Sequence, residues 1–327
     1  MTKKDDSLGS LYKDGAIVNL GQNPRHVQKV KTNRPSVDYV TDGGVPRGRL
    51  ILVAGRFSSG KSSFTIQVCN MIAEKILYID TEATLTTDYI EDLGCDPAKF
   101  YHTIPESTEQ MINVIRKEIK NFENGCIVID SINNSASEEQ LQKNAEDRTM
   151  ANRAIVLAAQ LPIVISLANQ YNVSVFVLSQ IRDNFKKANI YSPDTVIPGG
   201  NSLHHNSSMT IEMAPAEKKK DKDKDELGLY ERISGRMVRI HVSKNKVGAP
   251  LRTVEVEFTY GKGFTIEADV ASAAIRLGIV EKAGSWLKYN GESICQGADK
   301  LKDILEDNPD LLQELINKIN KENDNQM

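Results

Sequence analysis

A chain of 327 residues, 40% hydrophobic and 26% charged, is long enough for one large core and a smaller second one and is composed like an ordinary globular protein. Its formal net charge of -3 excludes nucleic-acid binding through a global positive field, so any phosphate contact has to come from a local basic patch. No apolar run approaches the roughly 20 residues of a membrane helix. Residues 1–10 lack the apolar stretch of an export signal, and Cys69, Cys95, Cys126 and Cys295 show no CxxC spacing. The expectation is a cytoplasmic chain with buried free thiols and no membrane partner.

Residues 1–35 are polar with little periodicity and are expected to form an N-terminal arm ahead of a core over 36–267. Residues 49–54 (RLILVA) are a short apolar run of buried-strand type, and 61–74 then carry Phe64, Val68, Met71 and Ile72 at helical spacing. Residues 76–80 (ILYID) predict a second buried strand, followed by a helical stretch from about Asp88 and a helix over 111–122. CIVID at 126–130 predicts a third strand ending in a carboxylate; a long helix over 149–171 and a fourth strand at 173–179 (VSVFVLS) follow. Apolar strands alternating with helices predict an α/β fold with a mainly parallel sheet covered on both faces.

The pattern then changes. Residues 208–213, 236–242 and 253–259 alternate apolar and polar residues and predict antiparallel strands added at one edge. The mixed-charge stretch AEKKKDKDKDELG at 216–228 cannot build a core and is expected to be a mobile hairpin tip. Residues 268–327 predict a small α+β C-terminal domain. It holds a helix over 270–277, a hairpin over 286–294 around Asn290-Gly291, a pair favoured in tight turns, and a helix over 297–306 broken at Asn308-Pro309. An amphipathic helix over 309–319 and a polar, frayed tail close the chain.

Residues 55–62 read GRFSSGKS, which matches G-x-x-x-x-G-K-[ST] between a predicted strand and a predicted helix. In such a loop the backbone N–H groups wrap phosphate oxygens, the lysine reaches the β- and γ-phosphates, and the final hydroxyl binds Mg²⁺. ATP and Mg²⁺ are therefore the expected cofactors, held by Gly55, Arg56, Phe57, Ser58, Ser59, Gly60, Lys61, Ser62 and Ser63. Asp130, at the tip of a buried parallel strand, is placed where such sheets bind ligands and is expected to hold Mg²⁺ directly or through water. Its alternative is a simple strand-end turn residue. Glu82 is placed to orient an attacking water, and Asp80 is a rival for that role.

The order GRFSSGKS, YIDTE, CIVIDS, LSQIR, PGGNSL and KNK resembles the RecA recombinase family, including its phage members. The likeness extends to DGAIVNLG and DGGVPRGRL near the N-terminus and to EKAGSWLKYNGESICQG and LEDNPDLLQEL near the C-terminus, so it covers about residues 15–319. It implies a RecA-like P-loop ATPase core. It also implies a DNA-dependent ATPase that assembles as a homo-oligomeric helical filament on single-stranded DNA. Such a filament pairs its strand with homologous duplex DNA and promotes strand exchange, with ATP hydrolysed at subunit interfaces. By position the resemblance makes Glu82 the carboxylate that activates water. Tyr89, otherwise a core tyrosine, becomes the ring that stacks on adenine, and Gln180 becomes the sensor of the γ-phosphate. Lys244 and Lys246, otherwise a basic strand end, become cations that reach the neighbouring subunit's ATP.

Two DNA loops are expected, over 133–147 and 182–201. The second, RDNFKKANIYSPDTVIPGGN, is too long for an ordinary connection. It offers Arg182, Lys186 and Lys187 for phosphates, with Phe185 and Tyr191 among them, and Gly199, Gly200 and Asn201 where the backbone approaches closely. The chain also departs from the family. Phe57 stands where bacterial relatives usually carry glutamate, the arm is shorter, the first DNA loop matches poorly, and the charged stretch near 218–226 is an insertion; these features fit a divergent member such as those phages encode. Two other readings remain open: a RecA-fold helicase motor or ring-forming regulator, and a nucleotide-binding assembly protein without hydrolysis. PGGN, KNK and the C-terminal region favour the recombinase over the first, and Glu82 favours it over the second.

Overall fold

Strands β1 (Lys29–Val30), β2 (Val45–Pro46), β3 (Leu50–Gly55), β4 (Ile76–Asp80), β5 (Phe100–Thr103), β6 (Cys126–Asp130), β7 (Ser174–Gln180), β8 (Arg182–Asp183), β9 (Thr195–Val196), β10 (Met209–Lys224), β11 (Glu231–Asn245) and β12 (Thr253–Thr259) follow one another along the larger part of the fold. Helices α1 (Pro35–Val40), α2 (Lys61–Ile72), α3 (Thr87–Asp92), α4 (Thr108–Glu118), α5 (Ala151–Gln170) and α6 (Gly200–Asn206) run between them. This is a computed structural model, and it describes residues 26–139, 151–183, 195–196, 200–224 and 231–326. Eight strands form one sheet in the order β12-β11-β10-β3-β7-β6-β4-β5. From β10 to β5 all neighbours are parallel, and β11 and β12 are antiparallel additions.

Strand periodicity explains why the central runs are apolar throughout. Successive side chains point to opposite faces, and both faces are covered. Ile51, Val53, Ile76, Tyr78, Val128, Phe176 and Leu178 face α1, α2 and α3 in one core, whereas Leu50, Leu52, Leu77, Ile79, Ile127, Ile129, Val175 and Val177 face α4 and α5 in another. Each such side chain taken fully from water is worth about 1.5–3 kcal/mol, so the two layers fix the register of every central strand. Cys69, Cys95, Cys126 and Cys295 are all free and buried. Among the described residues no helix is long and apolar enough to cross a membrane.

Several expectations need correction. The segment that begins near 208 pairs parallel to β3 and antiparallel only to β11, so it joins the two halves of the sheet instead of extending an antiparallel edge. The charged stretch does not stop the hairpin: β10 runs to Lys224 and β11 starts at Glu231, with register shifts along the way. A ladder of backbone bonds needs no apolar side chains, and bulges absorb the irregular spacing; residues 225–228 of that stretch lie outside the described residues. β5 was unforeseen because its residues are half-buried or exposed and show no apolar run. Residues 1–25 of the predicted arm also lie outside the described residues, but 26–35 are built into the fold. Lys29–Val30 pairs with Val45–Pro46. Thr32 and Arg34 are buried, as is Asp38 in α1. Asp38 Oδ1 accepts from Thr32 N at 2.8 Å and from Thr32 Oγ1 at 2.9 Å, and Arg34 donates to the Phe264 carbonyl. Burial pushes the Asp38 carboxyl up to about 6, against the pull of the Thr32 bonds.

Beyond β12 come α7 (Ile266–Arg276), β13 (Glu281–Ala283), β14 (Trp286–Tyr289), β15 (Glu292–Gln296), α8 (Ala298–Asp307) and α9 (Pro309–Gln326), gathered around an apolar core of their own. Asn290 and Gly291 both have positive φ, +51° and +86°, as the tight turn between β14 and β15 requires. The tail expected to fray continues α9 to Gln326. Lys302 of α8 is tied to Glu257 of β12 at 2.8 Å.

Candidate functional site

The turn between β3 and α2 lies at the carboxyl end of the parallel sheet, where such folds place their ligands. Its shape depends on two glycines. A Cβ on Gly55 would meet Met213 O and Ser59 Oγ at 2.5 Å each, and Gly60, the residue before α2, has φ +81°. The loop therefore closes tightly and aims the free N–H groups of α2 at the space in front of it. That space is a cleft of about 840 Å³, part of it open to solvent. Lys61 is buried and folds over the loop, with Nζ donating to Gly55 O at 3.1 Å and Arg56 O at 2.9 Å. Burial lowers its pKa, while the charges of Asp130 and Glu82 oppose that shift.

Asp130 ends β6 on the face turned toward α2. Its Oδ2 accepts from Ser62 Oγ at 2.6 Å and from the hydroxyl of Tyr78, in β4, also at 2.6 Å. Burial raises the pKa of Asp130, and the bonds from Ser62 and Tyr78 pull it back. Ser62 and Asp130 are oxygen donors, which suit a hard cation, and Mg²⁺ keeps several waters, so two protein oxygens beside a phosphate cradle fit it. Among the described residues no cluster of three or more His, Cys, Asp and Glu side chains offers another metal site. Glu82 is exposed at the rim, with Oε1 accepting from Ser131 Oγ at 2.9 Å. Ser131 is itself clamped: its N–H donates to Thr81 Oγ1 at 3.0 Å, and that hydroxyl donates to Ser131 O at 2.6 Å. Asp80 is 1% exposed and accepts from the backbone N–H groups of Glu82, Thr84 and Leu85 at 2.8–3.1 Å. It shapes the turn that carries Glu82, and its carboxylate is engaged there instead of facing the cleft.

Comparison with known proteins agrees with this geometry. The family profile described as RecA N-terminal domain matches residues 5–265, and the one described as RecA C-terminal domain matches residues 268–324. The chain belongs to the RecA family. Protein RecA of Rickettsia bellii (strain OSU 85-389) is 29% identical over 309 residues, covering 93% of this chain and 87% of that protein. Protein RecA of Campylobacter lari is 26% identical over 318 residues, covering 96% and 90%. A solved structure described as the RadB recombinase matches with a TM-score of 0.49 at 19% identity, over 70% of this chain and 94% of that one. RecA-family proteins are ATPases that bind ATP and DNA and act in recombination and repair.

In this RecA-family chain the cleft gathers Phe57, Ser58, Ser59, Gly60, Lys61, Ser62, Ser63, Glu82, Tyr89, Asp130 and Gln180. Gly55 and Arg56 stand at the base and outside of the loop, and Phe57 is 82% exposed at the mouth. Tyr89 bonds through its hydroxyl to Ser63 Oγ at 2.7 Å. Gln180 ends β7, and its carbonyl accepts from Asn133 Nδ2 at 3.4 Å. Lys244 and Lys246 do not line the cleft. They lie on the C-terminal end of α6, where Lys244 Nζ donates to the carbonyls of His204 and His205 and Lys246 Nζ to that of His205 at 2.9 Å. Arg182 is exposed in β8, which pairs with β9 at the foot of the second loop. Phe185, Lys186, Lys187, Tyr191 and Gly199 lie outside the described residues, as do 140–147 of the first loop. Gly200 and Asn201, expected in the loop, are the first residues of α6. Sequence reasoning missed Tyr78, Ser131, Phe258 and Tyr260. The last two line the cleft from the end of β12 and its following turn, and their i, i+2 aromatic spacing was the available signal.

Proposed function

We propose that this RecA-family chain is a DNA-dependent ATPase that assembles as a helical filament on single-stranded DNA, pairs it with homologous duplex DNA and promotes strand exchange, hydrolysing ATP at its subunit interfaces. One observation carries the reading. The phosphate cradle, the Mg²⁺ donors and the rim carboxylate share one cleft, whereas Lys244 and Lys246 are held outside it on α6. A cleft that a second subunit completes needs this division.

Lys61 and the loop N–H groups bind the β- and γ-phosphates, and Tyr89 stacks on the base. Ser62 and Asp130 are the residues that hold the metal. Mg²⁺, when bound there, neutralises charge on the phosphate oxygens. Glu82, held by Ser131, orients the attacking water and takes up its proton. Gln180, at the tip of β7 and two residues before Arg182, reports the γ-phosphate to the second DNA loop. Lys244 and Lys246 act in trans, on charge that develops in the neighbouring subunit's cleft. The arm toward the next subunit is confined to residues ahead of 26, because 26–35 are built into the core; residues up to 267 serve as the ATPase core and 268–327 as a small C-terminal domain, in a cytoplasmic protein. The test is phosphate release from ATP and Mg²⁺ with and without single-stranded DNA. The reading requires stimulation by DNA; the same rate in both conditions contradicts it.

A further inference from the structure

Tyr78 lies within β4 among apolar side chains, 2% exposed, and by burial alone would count as core. Its hydroxyl has a more specific position. β4 and β6 are parallel neighbours in which Tyr78 pairs with Val128, so the phenol and the Asp130 carboxylate, two residues farther along β6, share one face of the sheet. The hydroxyl donates to Asp130 Oδ2 at 2.6 Å, and Ser62 Oγ reaches the same oxygen at 2.6 Å from the start of α2. The carboxylate is thus gripped through Oδ2 from a strand on one side and a helix on the other, and neither of these bonds engages Oδ1.

We infer that Tyr78 is a positioning residue for the metal site, fixing the Asp130 carboxylate so that its other oxygen meets the hydration shell of Mg²⁺. This rests on the reading of Ser62 and Asp130 as the residues that hold the ion. Mg²⁺ demands nearly ideal octahedral geometry and sheds water reluctantly, so a carboxylate acting on it has to be held in one orientation. Ser62 cannot do this alone, because its oxygen is itself a ligand and moves with the ion. The phenol belongs to a central strand, and its hydroxyl bonds to the carboxylate. A hydroxyl adds nothing to apolar packing, and burying it is costly unless it is bonded, so phenylalanine would serve a purely structural position better.

The test is Tyr78→Phe, which preserves volume. Binding of methylanthraniloyl-ATP is titrated against Mg²⁺ and repeated with the ion chelated, and thermal unfolding is recorded in parallel. Partners of this kind contribute ten- to a hundredfold to metal affinity. The Mg²⁺ concentration for half-maximal tight binding is therefore expected to rise about tenfold, with metal-free binding unchanged. In an Asp130→Asn background, Tyr78→Phe should add no further shift. A wild-type Mg²⁺ midpoint in Tyr78→Phe overturns the inference, whatever happens to stability. Equal weakening with and without Mg²⁺, or a full further shift in the Asp130→Asn background, overturns it too. Wild-type protein whose nucleotide binding ignores Mg²⁺ would instead remove the metal reading itself, a result distinct from all of these.

Discussion

Glu82→Gln separates charge from position at the rim of the cleft. Glu82 is exposed, and the Ser131 hydroxyl fixes its Oε1 at 2.9 Å. Glutamine has the same length and an amide oxygen that can accept the same bond, so the side chain stays in place and loses only its negative charge and basicity. A positioned group that takes a proton in the transition state contributes about 10²–10⁴ in rate, or about 3–5 kcal/mol of barrier. DNA-stimulated turnover should therefore fall at least about 100-fold. Binding should move the other way. The Glu82 charge favours the charged form of Lys61, so it draws on the cation that the phosphates use, and it repels the polyphosphate. ATP should bind Glu82→Gln as tightly as wild type or more tightly, and the variant should accumulate as ATP-bound protein on DNA. Steady-state phosphate release and equilibrium binding of methylanthraniloyl-ATP measure the two effects separately. Turnover near the wild-type rate would refute the assignment. Asp80 could not take over the role without releasing the three backbone N–H groups that shape the turn beneath Glu82.

Lys244→Ala and Lys246→Ala should leave the fold nearly intact, because cations on exposed helix carbonyls contribute about 0.3–1 kcal/mol each. DNA-stimulated hydrolysis should drop, and mixing either variant with Lys61→Ala protein should restore part of it; no restoration at any ratio, with normal assembly, would show that the lysines act within their own subunit. Neutralising Arg182, Lys186 and Lys187 together should lower the log–log salt slope of single-strand binding by about 0.7 for each phosphate that is no longer neutralised, and an unchanged slope would leave residues 133–147 as the DNA loop. Asp38→Asn tests the buried N-terminal segment through pH. The folded Asp38 pKa of about 6 lies above that of free aspartate, so the native state holds the extra proton between about pH 4 and 6. The stability tied to that proton is complete below the free value and is lost as pH rises through 6, by roughly 3 kcal/mol in all. Urea unfolding should find Asp38→Asn level with wild type near pH 4 and more stable above pH 7; a difference independent of pH contradicts this.

The strands that carry the cleft were legible because each is buried on both faces and so is apolar throughout, as ILYID and CIVID show. The loop at 55–62 was legible for a different reason, since wrapping phosphate restricts residue type at fixed spacing. What escaped lay where burial and polarity part company. Thr32 and Arg34 look like solvated arm, yet their partners are Asp38 and Phe264, the second more than 200 residues away. β5 has no apolar face to announce it, and the charged end of β10 is held by its backbone. Tyr78 has the pattern of any core aromatic, and only the pairing of β4 with β6 brings its hydroxyl to Asp130. Likewise Ser131 and Glu82 meet because those two strands end side by side. Lys244 and Lys246 carried no signal of their own beyond a basic strand end; family likeness alone marked them out, and their place on α6 was not foreseeable.

The central claim is that the cleft is completed between subunits on DNA, and it is tested most directly by negative-stain electron microscopy of the wild-type protein with single-stranded DNA, Mg²⁺ and a non-hydrolysable ATP analogue. Continuous helical filaments along the DNA are predicted, with none when the analogue is omitted. Closed rings, or isolated monomers at saturating analogue and DNA, would contradict it.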